Sequence, residues 1–349
     1  MQFINEEVLQ PESYSVSNSE KVARRRLVLS AGKNPFFNAA AYALGLQESL
    51  SKRHKRDIRV EFSGIMADSI TSIRKLIRMI PRFDSIQLIY DGTASFCKSI
   101  LPAVVISRFF GKGAALLYYP DQIVDEVPFT HRQAMSLCGH VYVGTRYLQR
   151  KLARYNVKSE VMLPPGSVDS LPVRAITAVQ PHILLVHNSA VDSGAICIMR
   201  AFIMVKRKFP RTTMTVVTNE PVRWPMEVMQ LGQSIQGHDY VSSRNEQDII
   251  RAFAEADLFV NFSTSETVPS ALLVAMASGL PSISFETYGA REIIKNGING
   301  LLIQHNDHNQ LANEIIRLIE EPVLAASISK EAVKIRARFS VENIVRLLQ

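Results

Sequence analysis

A chain of 349 residues with 47% hydrophobic and 21% charged side chains has the composition of a soluble globular protein, and is long enough for two cores. Its formal charge of +8 suits an anionic lipid surface, an anionic substrate or nucleic acid, but no aromatic-interleaved basic motif supports the last. The longest apolar stretch is broken by Arg108 and Lys112, which excludes it as a membrane span, and the polar N-terminus lacks the layout of a secretory signal.

In chain order, a polar tail (1–24) precedes the buried strand "RLVLSAG" and its glycine turn. A helix over 38–52 leads to the strand "IRVEFSG", the helix "SITSIRKLIRMI" and the strand "SIQLIYDG". The helix "SILPAVVISRFF", the strand "AALLYYP", the strand "HVYVGT" and the helix "RYLQRKLARYN" follow. "EVMLPPGSVDS" closes this first unit, 25–170, and the proline-bracketed 171–181 reads as a linker.

The alternation then restarts over 182–330 with "HILLVHNS", "GAICIMRAFIMVKRKF", "TMTVVTNE", "EQDIIRAFAEA" and "DLFVNFSTS". "SISFETYG", "GLLIQHN" and the helix "HNQLANEIIRLIEE" complete it, and a terminal helical segment occupies 331–349. Strands alternating with amphipathic helices predict an α/β protein with two doubly wound, parallel-sheet domains in tandem. Ligands in such sheets bind beyond the carboxyl ends of the strands, so the cleft between the domains is the expected site. Cys97, Cys138 and Cys197 follow no metal or disulfide spacing and read as thiols of a reducing cytosol.

The stretch "SETVPSALLVAMASGLPSIS" carries the most specific chemistry. A helix starting at Pro269 or Ser270 and stopped by Gly279-Leu280-Pro281 leaves the N–H groups of Thr267, Val268 and Ser270 at a positive helix end, a place for phosphate or sugar oxygens. Glu266, just upstream, can accept hydrogen bonds from hydroxyls held there; the plainer reading is a capped helix whose Glu faces solvent.

The segment 256–303 resembles the donor-binding core of the group 1, glycogen-synthase-like GT-B glycosyltransferases. "ADLFVNFSTSE" resembles that family's strand-Ser-x-x-Glu run, "LLVAMASGLPSIS" its helix with Gly-Leu-Pro, and "YGAREIIKNGINGLLI" its Gly-Gly-x-x-Glu block. "HVYVGTRYLQRKLARYNVKSEVMLPPGSVD" and "RFSVENIVRLLQ" are similar to the segment entering the linker and to the helix that crosses back onto the first domain. The resemblance implies two Rossmann-like domains facing each other across a cleft, an acceptor domain first and a donor-nucleotide domain second. It also implies that Glu266 contacts donor-sugar hydroxyls and that a second carboxylate holds the ribose. Val274 stands at that second place.

Other departures follow. Asn188 and Ser193 occupy the places of the diphosphate-clamping cations, Gly194 is retained, and "VVTNEP" replaces a Gly-x-Gly strand end. The acceptor loop "SAGKNPFFN" keeps only Gly32, with Lys33 and Asn34 beside it, and "LLYYPDQ" offers Tyr119 and Asp121 where the family commonly has a histidine. Lys33 and Arg291 are substitute cations for the cleft, their plainer readings being a loop lysine and a surface ion pair. Asp121 is a candidate base or a turn residue.

The implied function is transfer of a sugar, with retention, from a nucleotide-diphosphate sugar to a glycan or lipid-linked acceptor in surface polysaccharide or glycolipid assembly. No metal or other cofactor is expected. The alternative is a non-catalytic GT-B scaffold that serves as partner subunit or glycan-binding module. The basic runs Arg24, Arg25, Arg26 and Lys52, Arg53, Lys55, Arg56 are solvated edges or contacts to an anionic membrane. The expected location is the cytoplasm, with peripheral attachment to the inner face of the plasma membrane.

Overall fold

The computed structural model describes residues 24–31, 58–64, 70–90, 96–120, 126–163, 181–187, 194–218, 230–231, 237–242, 246–263 and 267–339. The N-terminal half contains strands β1 (Arg24–Ala31), β2 (Ile58–Gly64), β3 (Ser85–Tyr90), β4 (Gly113–Tyr118), β5 (His140–Val143) and β6 (Glu160–Val161). They form one sheet in the order β2-β1-β3-β4-β5-β6, every pair parallel. Helices α1 (Ile70–Met79), α2 (Phe96–Phe109), α3 (Phe129–Leu137) and α4 (Arg146–Ala153) are its described crossovers. In β3 all residues after Ser85 are buried, as a parallel strand covered on both faces requires. Thr145 starts α4 by accepting a hydrogen bond from the Leu148 N–H at 3.0 Å.

The C-terminal half holds β7 (His182–His187), β8 (Thr213–Thr218), β9 (His238–Ser242), β10 (Leu258–Asn261), β11 (Ser282–Phe285) and β12 (Leu301–Ile303). Their order is β12-β11-β10-β7-β8-β9, again parallel throughout. The intervening helices are α5 (Gly194–Lys208), α6 (Glu246–Glu255), α7 (Ser270–Ala277) and α8 (Tyr288–Ile293), followed by α9 (His308–Glu320), α10 (Pro322–Ala332) and α11 (Ile335–Phe339). All residues of α7 after Ser270 are buried, because the sheet lies on one side of it and α10 and α11 on the other. Ser329 and Arg336 fasten that outer layer by donating to the carbonyls of Gly279 and Ala277, at 2.5 and 2.6 Å.

The two-sheet α/β architecture is the one the sequence implies, with local differences. α3 and β9 form where the strand-and-helix reading has neither element. "SISFETYG" is a strand only as far as Phe285; Thr287 then caps α8 by accepting from the Ala290 N–H at 3.2 Å. Arg24, Arg25 and Arg26 lie inside β1, their backbone paired in register with β2, so this run is the start of a strand. The second basic run, Lys52 to Arg56, lies outside the described residues, as do the helix expected over 38–52 and the linker up to residue 180. Of the terminal segment, α11 packs on α7 within the C-terminal half, and residues 340–349 lie outside the described residues.

Candidate functional site

In the second sheet the chain leaves β7 through α5 toward β8 on one side, while β10 flanks β7 on the other. The switch point is therefore between β7 and β10, and the crevice beyond their carboxyl ends is where a doubly wound sheet takes a ligand. Gly194 opens α5 at this place. A Cβ built on it would stand 3.0 Å from the Phe262 ring, the Phe262 carbonyl oxygen and the Phe285 ring, so a glycine lets the helix start close to the β10 end. Below the crevice, Asn261 Nδ2 donates to Ser284 Oγ at 2.8 Å, and Ser284 Oγ donates to the Phe285 carbonyl at 2.9 Å. These buried bonds satisfy polar groups that would be costly left alone.

The loop Thr267–Pro269 and the start of α7 form the rim. Pro269 is the extended N-cap residue and makes no side-chain capping hydrogen bond, so the positive end of the helix is directed at this loop. Val268 is buried, whereas Thr267, Pro269 and Ser270 are half-buried. Gly289, at the start of α8, carries this loop. A Cβ there would lie 1.7 Å from the Thr267 carbonyl oxygen and 2.8 Å from the Val268 nitrogen, so only glycine fits. Val274 is 5% exposed and packs in the hydrophobic core with Leu272 and Leu273. Glu266, Asn188, Ser193, Asp121, Gly32, Lys33 and Asn34 lie outside the described residues.

Arg291 is exposed on α8 and forms a 2.8 Å ion pair with Glu286, the surface pairing considered for it. Tyr119 is half-buried; its hydroxyl donates to the Leu163 carbonyl at 3.4 Å, and its ring lies beside Gly144. Next to it, at the level carboxyl ends of β3 and β4, Tyr90 and Tyr118 stack with ring centroids 5.4 Å apart. The Phe96 ring stands edge-on to both and stacks on His131 at 3.9 Å.

The His131 Nδ1 is 2.9 Å from the Tyr118 hydroxyl. Burial lowers the His131 pKa to about 4 and raises that of Tyr118, so imidazole and phenol are both neutral near pH 7. Sequence reading missed His131 because α3, which delivers it, was not recognised. A signal was present in the Pro128 that precedes "FTHRQAMSL", a helix-start residue.

The two halves touch at the turn between β5 and α4. The Arg146 N–H donates to Glu292 Oε1 at 2.6 Å, and the Tyr147 and Tyr288 rings stack with centroids 4.2 Å apart and planes 9° apart. A Cβ on Gly144 would be 3.5 Å from the Val268 side chain, an ordinary contact. Leu163, the last described residue of the first half, joins the core cluster that contains α7.

Among the described residues no group of three His, Cys, Asp or Glu side chains could hold a metal ion, and no helix is long and apolar enough to cross a membrane. The family profile described as Glycosyl transferases group 1 matches residues 180–321. Exopolysaccharide phosphotransferase SCO2592 of Streptomyces coelicolor is 33% identical over 126 residues, which cover 34% of this chain and 13% of that protein. The GtfA subunit of the UDP-N-acetylglucosamine–peptide N-acetylglucosaminyltransferase of Streptococcus pneumoniae serotype 4 is 26% identical over 168 residues, 46% of this chain and 32% of its own length. The chain therefore spans about a third or less of these curated relatives.

Anabaena Alr3699/HepE, crystallised in complex with UDP, shares the fold with a TM-score of 0.68 at 16% identity, over 93% of this chain and 98% of that one. Both sheets thus follow the GT-B fold, and residues 180–321 match the profile of the group 1 glycosyltransferases.

Proposed function

We propose that the chain transfers a sugar from a nucleotide-diphosphate sugar to a glycan or lipid-linked acceptor, with retention of configuration, in surface polysaccharide or glycolipid assembly. The observation that carries this reading is the β7–β10 switch point, with the glycine-built start of α5 on one side and the start of α7, whose N-cap Pro269 makes no capping bond, on the other. A positive helix end suits a diphosphate, and stabilises the charge that grows on it as the glycosidic bond breaks. Glu266 directly precedes this loop in sequence and is the group proposed to bind donor-sugar hydroxyls. The N-terminal half supplies the acceptor side, where Tyr119 and the aromatic group around His131 stand at the strand ends.

Titrating UDP, GDP, ADP, CDP and dTDP into the full chain by calorimetry tests the reading. One diphosphate should bind with one-to-one stoichiometry, and Glu266→Gln should abolish turnover of its sugar while the melting temperature stays unchanged. No binding at millimolar concentration would favour the second reading, a non-catalytic GT-B subunit. The specific observation behind that reading is Val274, an apolar core residue where the family pattern has its second carboxylate.

Attachment to an anionic membrane rests on a separate surface. α1 exposes Ile73 and Ile77 beside Arg74, Lys75 and Arg78, and α2 exposes Val105 and Phe109 beside Arg108, with Phe109 83% exposed. Neither helix contains an acidic residue, and the two pack against each other. Apolar side chains among cations fit the interface of an anionic bilayer. The chain should sediment with phosphatidylcholine vesicles containing phosphatidylglycerol, and not with pure phosphatidylcholine. Phe109→Ser with Arg78→Ser should release it, and equal sedimentation of that variant would refute this surface.

A further inference from the structure

We propose that Tyr147 and Tyr288 are positioning residues for the transfer reaction, a brace that holds the acceptor half in register with the loop at the head of α7. The inference rests on the transferase reading above and names a ring contact that neither the family pattern nor the sequence motifs predict. Tyr147 is the second residue of α4 and Tyr288 the first of α8. Each helix follows the carboxyl end of a strand, so the stacked pair bridges the ligand-binding edges of the two sheets.

The coupling to the site is short and stiff. Tyr288 is followed by Gly289, whose backbone is pressed against the Thr267 carbonyl so closely that no side chain fits between them. Thr267 opens the loop that leads into α7. A displacement of Tyr147 is therefore passed through the ring stack to α8, and from α8 to the loop by backbone contact.

Two further contacts hold the same seam. Glu292 Oε1 accepts from the Arg146 N–H in the first turn of α4, where a carboxylate also meets the positive helix end. The Arg146 guanidinium lies 3.9 Å from the other oxygen but is 73% exposed, so this ion pair adds little and the backbone bond and the rings carry the contact. Val268 meets Gly144 directly beside them. In the Gly-Gly-x-x-Glu block that "YGARE" resembles, Tyr288 stands at the first glycine. A glycine has no ring to stack, so the brace is a property of this chain.

The experiment compares Tyr147→Leu, Tyr288→Leu, their double variant and both Tyr→Phe variants. Transfer kinetics, diphosphate affinity and the small-angle X-ray scattering of the free chain are the readouts. An aromatic pair is worth about a two- to twelve-fold effect beyond its buried area. Each Leu variant should lower kcat by about that factor, and the double variant no further, because the second change removes a contact already lost. Diphosphate affinity, a property of the C-terminal half, should stay within about two-fold, and the Phe variants should retain full kcat. The Leu variants should also show a larger radius of gyration.

Additive losses of kcat, or unchanged kcat with unchanged scattering, would overturn the brace. Should the native chain transfer no sugar to any acceptor, the transferase reading fails. The scattering comparison then still decides whether the ring pair holds the two halves together.

Discussion

The two halves of the molecule build the carboxyl ends of their sheets, each a wall of its domain, from opposite materials. The C-terminal wall is made of backbone: Gly194 lets α5 start against Phe262 and Phe285, and Gly289 seats α8 under the Thr267 carbonyl. The N-terminal wall is made of rings, with Tyr90, Phe96 and Tyr118 buried in the core and His131 packed on them at the ends of β3 and β4. A wall of backbone can present amides to an anion and tolerates almost no added atoms. A buried cluster of neutral rings holds its strand ends by packing, and the Tyr118–His131 hydrogen bond depends on which protonation states burial enforces.

That contrast is sharpest at two glycines that flank the same loop. Gly289→Ala should have the largest effect. Its Cβ would fall 1.7 Å from a backbone oxygen that has no flexible end to give way, so the loop at 267–268 must move. Overpacking of this kind costs about 1–3 kcal/mol or more, and both the melting temperature and diphosphate affinity should fall. Gly144→Ala, on the other side of Val268, meets only side-chain atoms at 3.5 Å and should leave both quantities nearly unchanged. Equal losses in the two variants would show that the walls do not differ as described.

A smaller effect should come from acidification, and it should be confined to the ring wall. His131 has its pKa lowered from 6.5 to about 4 by burial, so the folded state favours the neutral imidazole. Its contribution is complete above pH 6.5 and is lost as the pH falls toward 4, where the unfolded chain binds a proton that the folded chain resists. His131→Phe should flatten the fall in thermal stability across that window while leaving the pH 7.5 value within a few degrees. A slope that survives the substitution would assign the pH dependence to another group.

How much was legible follows from how each wall is built. The loop and α7, the Gly-Leu-Pro stop and the Tyr288–Glu292 helix lie in one stretch of chain, so their constraints appear as contiguous motifs. The ring cluster draws on four elements, with residues 90, 96, 118 and 131 each an unremarkable aromatic or histidine in its own segment. His131 was further hidden because α3 is short and lies between two strands that read as neighbours. Arg24 to Arg26, three cations in a row, carry no strand signal, yet their backbone is paired with β2 as the start of β1.

Sequence by itself determined that this chain has two parallel α/β units and that the second carries the group 1 motifs, because periodicity and close-packing glycines are local demands on residue type. Only the tertiary structure decided that Val274 is core, that a neutral imidazole stands beside Tyr118, and that Tyr147 meets Tyr288 across the seam. Those relations join residues up to 141 positions apart, from Tyr147 to Tyr288, and no local preference of either residue encodes the distance between them.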